Sequence, residues 1–133
     1  PLSALVYDYL VVQSIPADVL VPVPLHSKRL KERGYNQSAL LAREIGKLMR
    51  LPVVNDGLIR QKHTSPQAKT SSVNERMNNV AGAFTCNRLV FRGLSVLLID
   101  DVATSGATLN AAAAALKAAG ALSVWGLALA KEI

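Results

Sequence analysis

Two kinds of apolar spacing alternate along the chain and predict strands followed by helices. Val19–Val23 is short, rich in β-branched residues and bounded by prolines, which predicts a buried strand. From Asn36 to Met49 the apolar residues recur at helical spacing, with Asn36 at the N-cap position. Ser95–Ile99 is continuously apolar, as in a parallel strand covered on both faces. The alanine-rich segment Thr108–Ala119 predicts a helix that ends at Gly120.

Shorter apolar segments complete the pattern. Leu51–Val54 and Leu58–Ile59 are candidate short strands, Ala83–Cys86 a candidate edge strand, and Val124–Ala130 a last strand. Residues 61–74 are polar and rich in Ser and Thr, which predicts a long mobile loop. Strands that alternate with helices are typical of the α/β class. We therefore expect a central, mainly parallel sheet flanked by helices.

Length and composition narrow the class of protein. A chain of 133 residues, half of them apolar, fits one folded domain over residues 1–133. Its apolar runs are too short to span a bilayer, and no signal-peptide pattern is present, so we expect a cytoplasmic protein without a membrane span. Cys86 is the single cysteine, which excludes a disulfide framework and a cysteine-only zinc site in this chain. Because the chain begins at Pro1, we expect it to be a fragment of a longer protein.

The net charge of +6 is concentrated in the middle of the chain. Residues 26–50 carry seven basic and two acidic side chains, and residues 60–92 carry six basic side chains and one acidic. This distribution suits an anionic ligand, either a phosphorylated small molecule or nucleic acid, although a solvated basic surface has the same composition. Sparse aromatic residues argue against sequence-specific recognition of single strands, which leaves non-specific DNA binding open.

The most informative stretch runs from Val96 to Thr108. An apolar strand delivers Asp100 and Asp101 to its carboxyl end, and a loop of small and hydroxyl-bearing residues then leads into a helix. Ligands of open α/β sheets bind at such strand ends, and loop amides beside a helix N-terminus attract anions. Without a Walker-type or dinucleotide glycine pattern, a single phosphate fits best. The two acids could bind vicinal sugar hydroxyls or lie near a divalent cation; solvated aspartates before a capped helix are the alternative.

This stretch resembles the phosphoribosyl-pyrophosphate (PRPP) binding motif of type I phosphoribosyltransferases. Two further motifs, Val21-Pro22-Val23-Pro24-Leu25-His26 and Arg33-Gly34-Tyr35-Asn36-Gln37, resemble the first strand and following loop of the ComF family, the competence-associated proteins of this fold. The middle pattern of that family is similar at these positions: Arg60, Thr64, Gln67, Arg76, Asn79, Ala83 and Phe84. The resemblance extends from about residue 18 to residue 130. It implies the type I phosphoribosyltransferase fold.

The resemblance also implies roles for individual residues. Asp100 and Asp101 would be the catalytic acids and would bind the ribose hydroxyls of PRPP or ribose 5-phosphate. The loop that would hold the 5-phosphate comprises Ala103, Thr104, Ser105, Gly106, Ala107 and Thr108. The loop that would contact pyrophosphate includes Leu25, His26, Lys28 and Arg29, and the mobile loop would contribute Lys62 and Arg76. Mg²⁺ would be the cofactor, bound mostly through oxygens of the ligand rather than directly by the protein.

The sequence departs from the family pattern in two places. ComF proteins usually carry an amino-terminal zinc module with cysteine ligands, and we expect this domain to be a fragment that lacks it. Ser105 stands where a second threonine is common, a change that keeps the hydroxyl group.

Two functions of different classes follow from the resemblance. The first is an enzyme, a phosphoribosyltransferase (a glycosyltransferase) that moves the phosphoribosyl group of PRPP to an unknown acceptor, in a setting of competence and DNA uptake. The alternative is a non-catalytic module of the DNA-uptake machinery that binds PRPP, a nucleotide or DNA. The sequence names no acceptor and leaves oligomer formation open.

Overall fold

A parallel β-sheet with helices on both faces organises the part of the chain that the computed structural model describes, namely residues 15–25, 31, 34, 36–61, 82–102 and 106–130. Its strands are β1 (Val19–Pro22), β4 (Ser95–Val102) and β5 (Ser123–Ala130), in the order β1-β4-β5, and both pairings are parallel. Beyond β1, Val53 adds a single parallel bridge to Leu20. The sheet confirms the predicted fold class.

Helix α1 (Gln37–Met49) covers one face of the sheet. Ala42 and Ile45 of the helix pack against Leu20, Leu97 and Ile99, which are every second residue of β1 and β4. The period of two in the strands and the helical spacing of α1 bring these apolar side chains into one cluster. All five side chains are fully buried.

Helix α3 (Ala107–Ala118) covers the opposite face. Its residues Ala112 and Leu116 pack against Val96 and Leu98, the alternate residues of β4. Gly120 follows the helix with a φ of 95°, the left-handed conformation in which a glycine ends a helix at little cost. A central strand that is apolar on both faces therefore lies between two helices, as its uninterrupted apolar sequence predicts.

A separate antiparallel ribbon lies beside α3. It consists of β2 (Leu58–Arg60) and β3 (Phe84–Cys86), and Leu58 and Phe84 contribute to the α3 side of the core. After β3 the one-turn helix α2 (Arg88–Phe91), capped by Asn87, buries Phe91 completely. Helix α2 was not predicted from the sequence, because four residues are too few to show a helical period.

The start of the sheet is held by polar contacts. The Asp18 carboxylate accepts a hydrogen bond of 2.8 Å from the backbone amide of Ser95, and the amide of Asp18 donates to the Ser95 carbonyl. The Ser123 hydroxyl donates to the Ser95 hydroxyl at 2.8 Å. These contacts connect the residue before β1 with the first residues of β4 and β5, at the edge opposite to the carboxyl ends of the strands.

The predicted elements are present with small differences in their bounds, with one exception. The candidate strand Leu51–Val54 is wrong, because only Val53 pairs there, through its single bridge to Leu20. The strand predicted at Ser95–Ile99 is three residues longer, because β5 continues to pair with β4 as far as Val102 and Ala130. The last helix begins and ends one residue before its predicted limits. Within the described residues, no helix combines the length and apolar character needed to cross a membrane.

Candidate functional site

The candidate site lies at the carboxyl end of β4, the central strand. Asp100 is in that strand, pairs with Ala128 of β5, and is 9% exposed. The expectation that the strand stops before the acids is wrong: the backbone of Asp100 and Asp101 belongs to β4. Pairing with β1 nevertheless ends at Ile99, so among the described residues β4 has a ladder partner from Asp100 onwards on its β5 side only. The buried carboxylate of Asp100 thus lies where the sheet opens beyond β1.

The chain then enters α3 through a glycine. Gly106 precedes the helix in the left-handed conformation with a φ of 77°, and it has no side chain with which to cap the first turn. The first turn, beginning Ala107-Thr108, contains no acidic residue. The partial positive charge of a helix N-terminus therefore faces the site without a carboxylate from its own first turn. This arrangement favours an anion.

The carboxyl end of β1 reaches the same edge of the sheet. The amide of Val23 donates to the carbonyl of Ile99 at 2.9 Å, which places the segment Pro24–Leu25 beside the start of the acid pair. Leu25 is half-buried. The Asn36 side chain caps α1, as predicted, by accepting hydrogen bonds from the amides of Ser38 and Ala39.

Several predicted site residues lie outside the described part of the chain. These are His26, Lys28, Arg29, Lys62, Arg76, Ala103, Thr104 and Ser105, together with the side chain of Asp101. The predicted mobile loop over 61–74 also falls outside it, except for Gln61, whose amide donates to the Ala83 carbonyl at 2.6 Å. Of the predicted residues, the structure therefore brings Leu25, Asp100, Gly106, Ala107 and Thr108 to one edge of the sheet.

The structure also describes basic residues on α1, the possible metal ligands among the described residues, and Cys86. On α1 and at its end, Arg43, Lys47 and Arg50 are exposed to solvent. Among the described residues, no group of three or more His, Cys, Asp or Glu side chains could hold a metal ion. Burial raises the pKa of the Cys86 thiol from 9.0 to about 11, as expected for a small apolar residue rather than a reactive one.

Sequence reasoning missed two contacts near the sheet. One is the bond between Asp18 and Ser95, for which no local pattern exists because the two residues are 77 positions apart. The other is a second role of Asn36, whose side-chain amide donates to the carbonyl of Val23 at 3.3 Å. The choice of asparagine at position 36 was a signal for the second contact. Among the common capping residues, asparagine alone combines an acceptor oxygen with an NH₂ donor.

Comparison with known proteins shows which family this chain matches. The phosphoribosyl transferase domain family matches residues 34–130, more than half of the chain and the whole candidate site except the end of β1.

Two curated relatives are named as competence proteins. Competence protein F of Haemophilus influenzae is 37% identical over 117 residues, which are 84% of this chain and 50% of that protein. Competence protein ComFC of Bacillus subtilis is 34% identical over 100 residues, which are 74% of this chain and 38% of that protein. The chain thus spans half or less of the length of these relatives.

Among solved structures, glutamine PRPP amidotransferase from B. subtilis, complexed with ADP and GMP, has a similar fold. The TM-score is 0.63 at 22% sequence identity, over 96% of this chain and 25% of that one. At this identity the likeness shows the fold alone.

Proposed function

Because this chain belongs to the phosphoribosyl transferase domain family, and within it to the ComF proteins, we propose that it binds PRPP with Mg²⁺ and transfers its phosphoribosyl group to an acceptor. One observation carries the proposal. The buried carboxylate of Asp100, the left-handed Gly106 before α3 and the end of β1 lie at a single edge of a parallel sheet. Ligands of open α/β sheets bind at that edge.

The parts of PRPP match the parts of this site. The 5-phosphate would accept hydrogen bonds from the amides of residues 103–108, with the N-terminus of α3 behind them. The ribose hydroxyls would donate to the carboxylates of Asp100 and Asp101. The pyrophosphate would contact the residues that follow β1, from Leu25 to Arg29. These assignments rest on the family resemblance together with the placement of β1, β4 and α3.

The reaction breaks the bond between ribose C1 and a pyrophosphate oxygen, and the leaving pyrophosphate keeps the electron pair. The acceptor then donates an electron pair to C1 and loses a proton. Since the sugar becomes cation-like in between, the protein acts mainly by positioning the reactants and stabilising charge. Exclusion of water by the segment after β2 would protect that cation from hydrolysis.

Magnesium would bind mostly through the phosphate oxygens of PRPP, which are the hard donors that it prefers, and the buried carboxylate of Asp100 suits a divalent cation nearby. When bound, the ion would neutralise charge on the leaving pyrophosphate. The chain's own carboxylates would hold the ribose and orient C1.

Isothermal calorimetry with PRPP and Mg²⁺ tests the binding step. The double variant Asp100→Asn, Asp101→Asn loses two charge-assisted hydrogen bonds, each of about 1.5–3 kcal/mol, so its affinity should fall by at least a hundredfold. Asp18→Asn is the control, because Asp18 is a carboxylate at the opposite edge of the sheet. Unchanged affinity in the double variant would remove the proposed site.

Release of pyrophosphate tests the transfer step. Incubation of the protein with PRPP, Mg²⁺ and a panel of nucleobases should release pyrophosphate in the presence of the right acceptor. Tight binding of PRPP with no release for any acceptor would contradict transfer and leave a binding module.

A further inference from the structure

Asn36 connects two segments that lie thirteen residues apart in the chain. Its side-chain oxygen accepts hydrogen bonds from the amides of Ser38 (2.9 Å) and Ala39 (3.3 Å), which caps α1. Its side-chain NH₂ group donates to the carbonyl of Val23 at 3.3 Å, thirteen residues earlier in the chain. One side chain therefore fixes both the start of α1 and the end of β1.

The bond to Val23 continues into the candidate site. The amide of Val23 donates to the carbonyl of Ile99 at 2.9 Å, and Ile99 immediately precedes Asp100. Asn36, Val23 and Ile99 thus form a row of hydrogen bonds across the carboxyl ends of β1 and β4. The segment Pro24–Leu25 follows directly after this row.

Helix capping alone does not explain an asparagine at this position. Ser, Thr and Asp cap helices about as well, and Asp is further favoured by the helix dipole. Only asparagine among these residues adds an NH₂ donor to the capping oxygen. The donor satisfies a carbonyl at the end of β1, where strand pairing stops.

We propose that Asn36 is a positioning residue that holds the segment Pro24–Leu25 beside Asp100 for the binding of pyrophosphate. This inference rests on the proposed function, in which the chain from Leu25 onwards contacts pyrophosphate. It predicts that loss of the NH₂ donor weakens the binding of PRPP, while ribose 5-phosphate, which has no pyrophosphate, is bound as before.

Asn36→Asp is the informative variant. It keeps the capping oxygen and replaces the donor with an oxygen that repels the Val23 carbonyl. Asn87→Asp is the matched control, since Asn87 caps α2 by accepting from the amide of Leu89 at 2.9 Å. Asn36→Ala removes the cap and the donor together, and it should therefore also lower the melting temperature.

Calorimetry with both ligands gives the primary result. For Asn36→Asp we expect PRPP to bind about three- to tenfold more weakly, as for the loss of one neutral hydrogen bond, and ribose 5-phosphate within about twofold of wild type. Asn87→Asp should bind both ligands like wild type. Equal weakening of both ligands by Asn36→Asp, or no weakening of either, would overturn the positioning role.

A measurement without ligand keeps the inference separate from the proposed function. In amide NMR spectra of the free protein, Asn36→Asp should shift the resonances of Leu25 and Asp100, whereas Asn87→Asp should not. Absence of these shifts overturns the link between Asn36 and the site whatever the protein binds. If the shifts are present but wild type binds no PRPP, the proposed function is wrong and the pyrophosphate role of Asn36 fails with it.

Discussion

Replacement of Gly106 by alanine changes the backbone preference at the residue before α3 and little else. The φ of Gly106 is 77°, and a Cβ atom placed there meets no atom of the described residues within 4 Å, its chain neighbours aside. The added methyl group therefore causes no clash with those residues. Its effect comes from the cost of holding an L-residue in the left-handed region.

The expected loss of stability follows from two opposing terms. The left-handed conformation costs an alanine roughly 1–2 kcal/mol relative to glycine. Alanine also restricts the unfolded chain, which offsets about 0.4–1 kcal/mol of that cost. The net destabilisation is therefore about 1 kcal/mol, which lowers the melting temperature of a domain of this size by roughly 3–5 °C.

Gly93→Ala provides a matched control for this variant. Gly93 has a φ of 76° and equally open space, but it precedes the start of β4, roughly 25 Å from the candidate site along the strand. We expect similar melting temperatures for the two variants by differential scanning calorimetry.

Only Gly106→Ala should weaken the binding of ribose 5-phosphate, by about tenfold. Relief of the strain at residue 106 would move the neighbouring backbone amides that are proposed to hold the phosphate. Equal affinities in the two variants, or a wild-type melting temperature for Gly106→Ala, would refute this reasoning.

Three further variants or measurements test the fold. Asp18→Ala removes the acceptor for the Ser95 amide and should lower the free energy of unfolding in urea by about 1–2 kcal/mol, with a smaller loss for Asp18→Asn; no loss in Asp18→Ala would contradict the contact. Gly57→Ala places a Cβ atom 2.7 Å from Cζ of Phe91 and should cost about 1–3 kcal/mol in the same assay, so a wild-type midpoint would show that the packing is looser. Because burial raises the pKa of Cys86 to about 11, its alkylation rate should keep rising to about pH 11, and the folded state should lose stability between pH 9 and 11 as the unfolded thiol ionises first. A rate that levels off near pH 9 in the folded protein would contradict that shift.

Much of the fold could be predicted because its signals are local and periodic. The apolar run of β4 and the helical spacing of α1 are properties of neighbouring residues, and the structure confirms both elements. The end of β4 could not be predicted, since it depends on how far β5 continues to pair beside it. Helix α2 was missed for a similar reason: its single turn is stabilised by the burial of Phe91 against the rest of the core.

The same distinction between local signals and long-range contacts applies to the candidate site. Asp100 and Gly106 could be proposed as site residues from the sequence because they lie in a single strand-loop-helix motif. The approach of Val23 to Ile99, and the bond from Asn36 that secures it, bring together three segments that are distant in sequence. Such contacts depend on the parallel register of β1 and β4, which the residue pattern does not specify.

Titration of the isotopically labelled protein with ribose 5-phosphate, followed by amide NMR, tests the central claim most directly. A phosphoribosyl ligand at the carboxyl end of β4 should cause saturable shifts of Asp100, Gly106, Ala107 and Thr108. The amides of Ser95 and Ser123, at the opposite edge of the sheet, should not move. Shifts confined to that opposite edge, or no saturable shift at Gly106–Thr108, would contradict the proposed site.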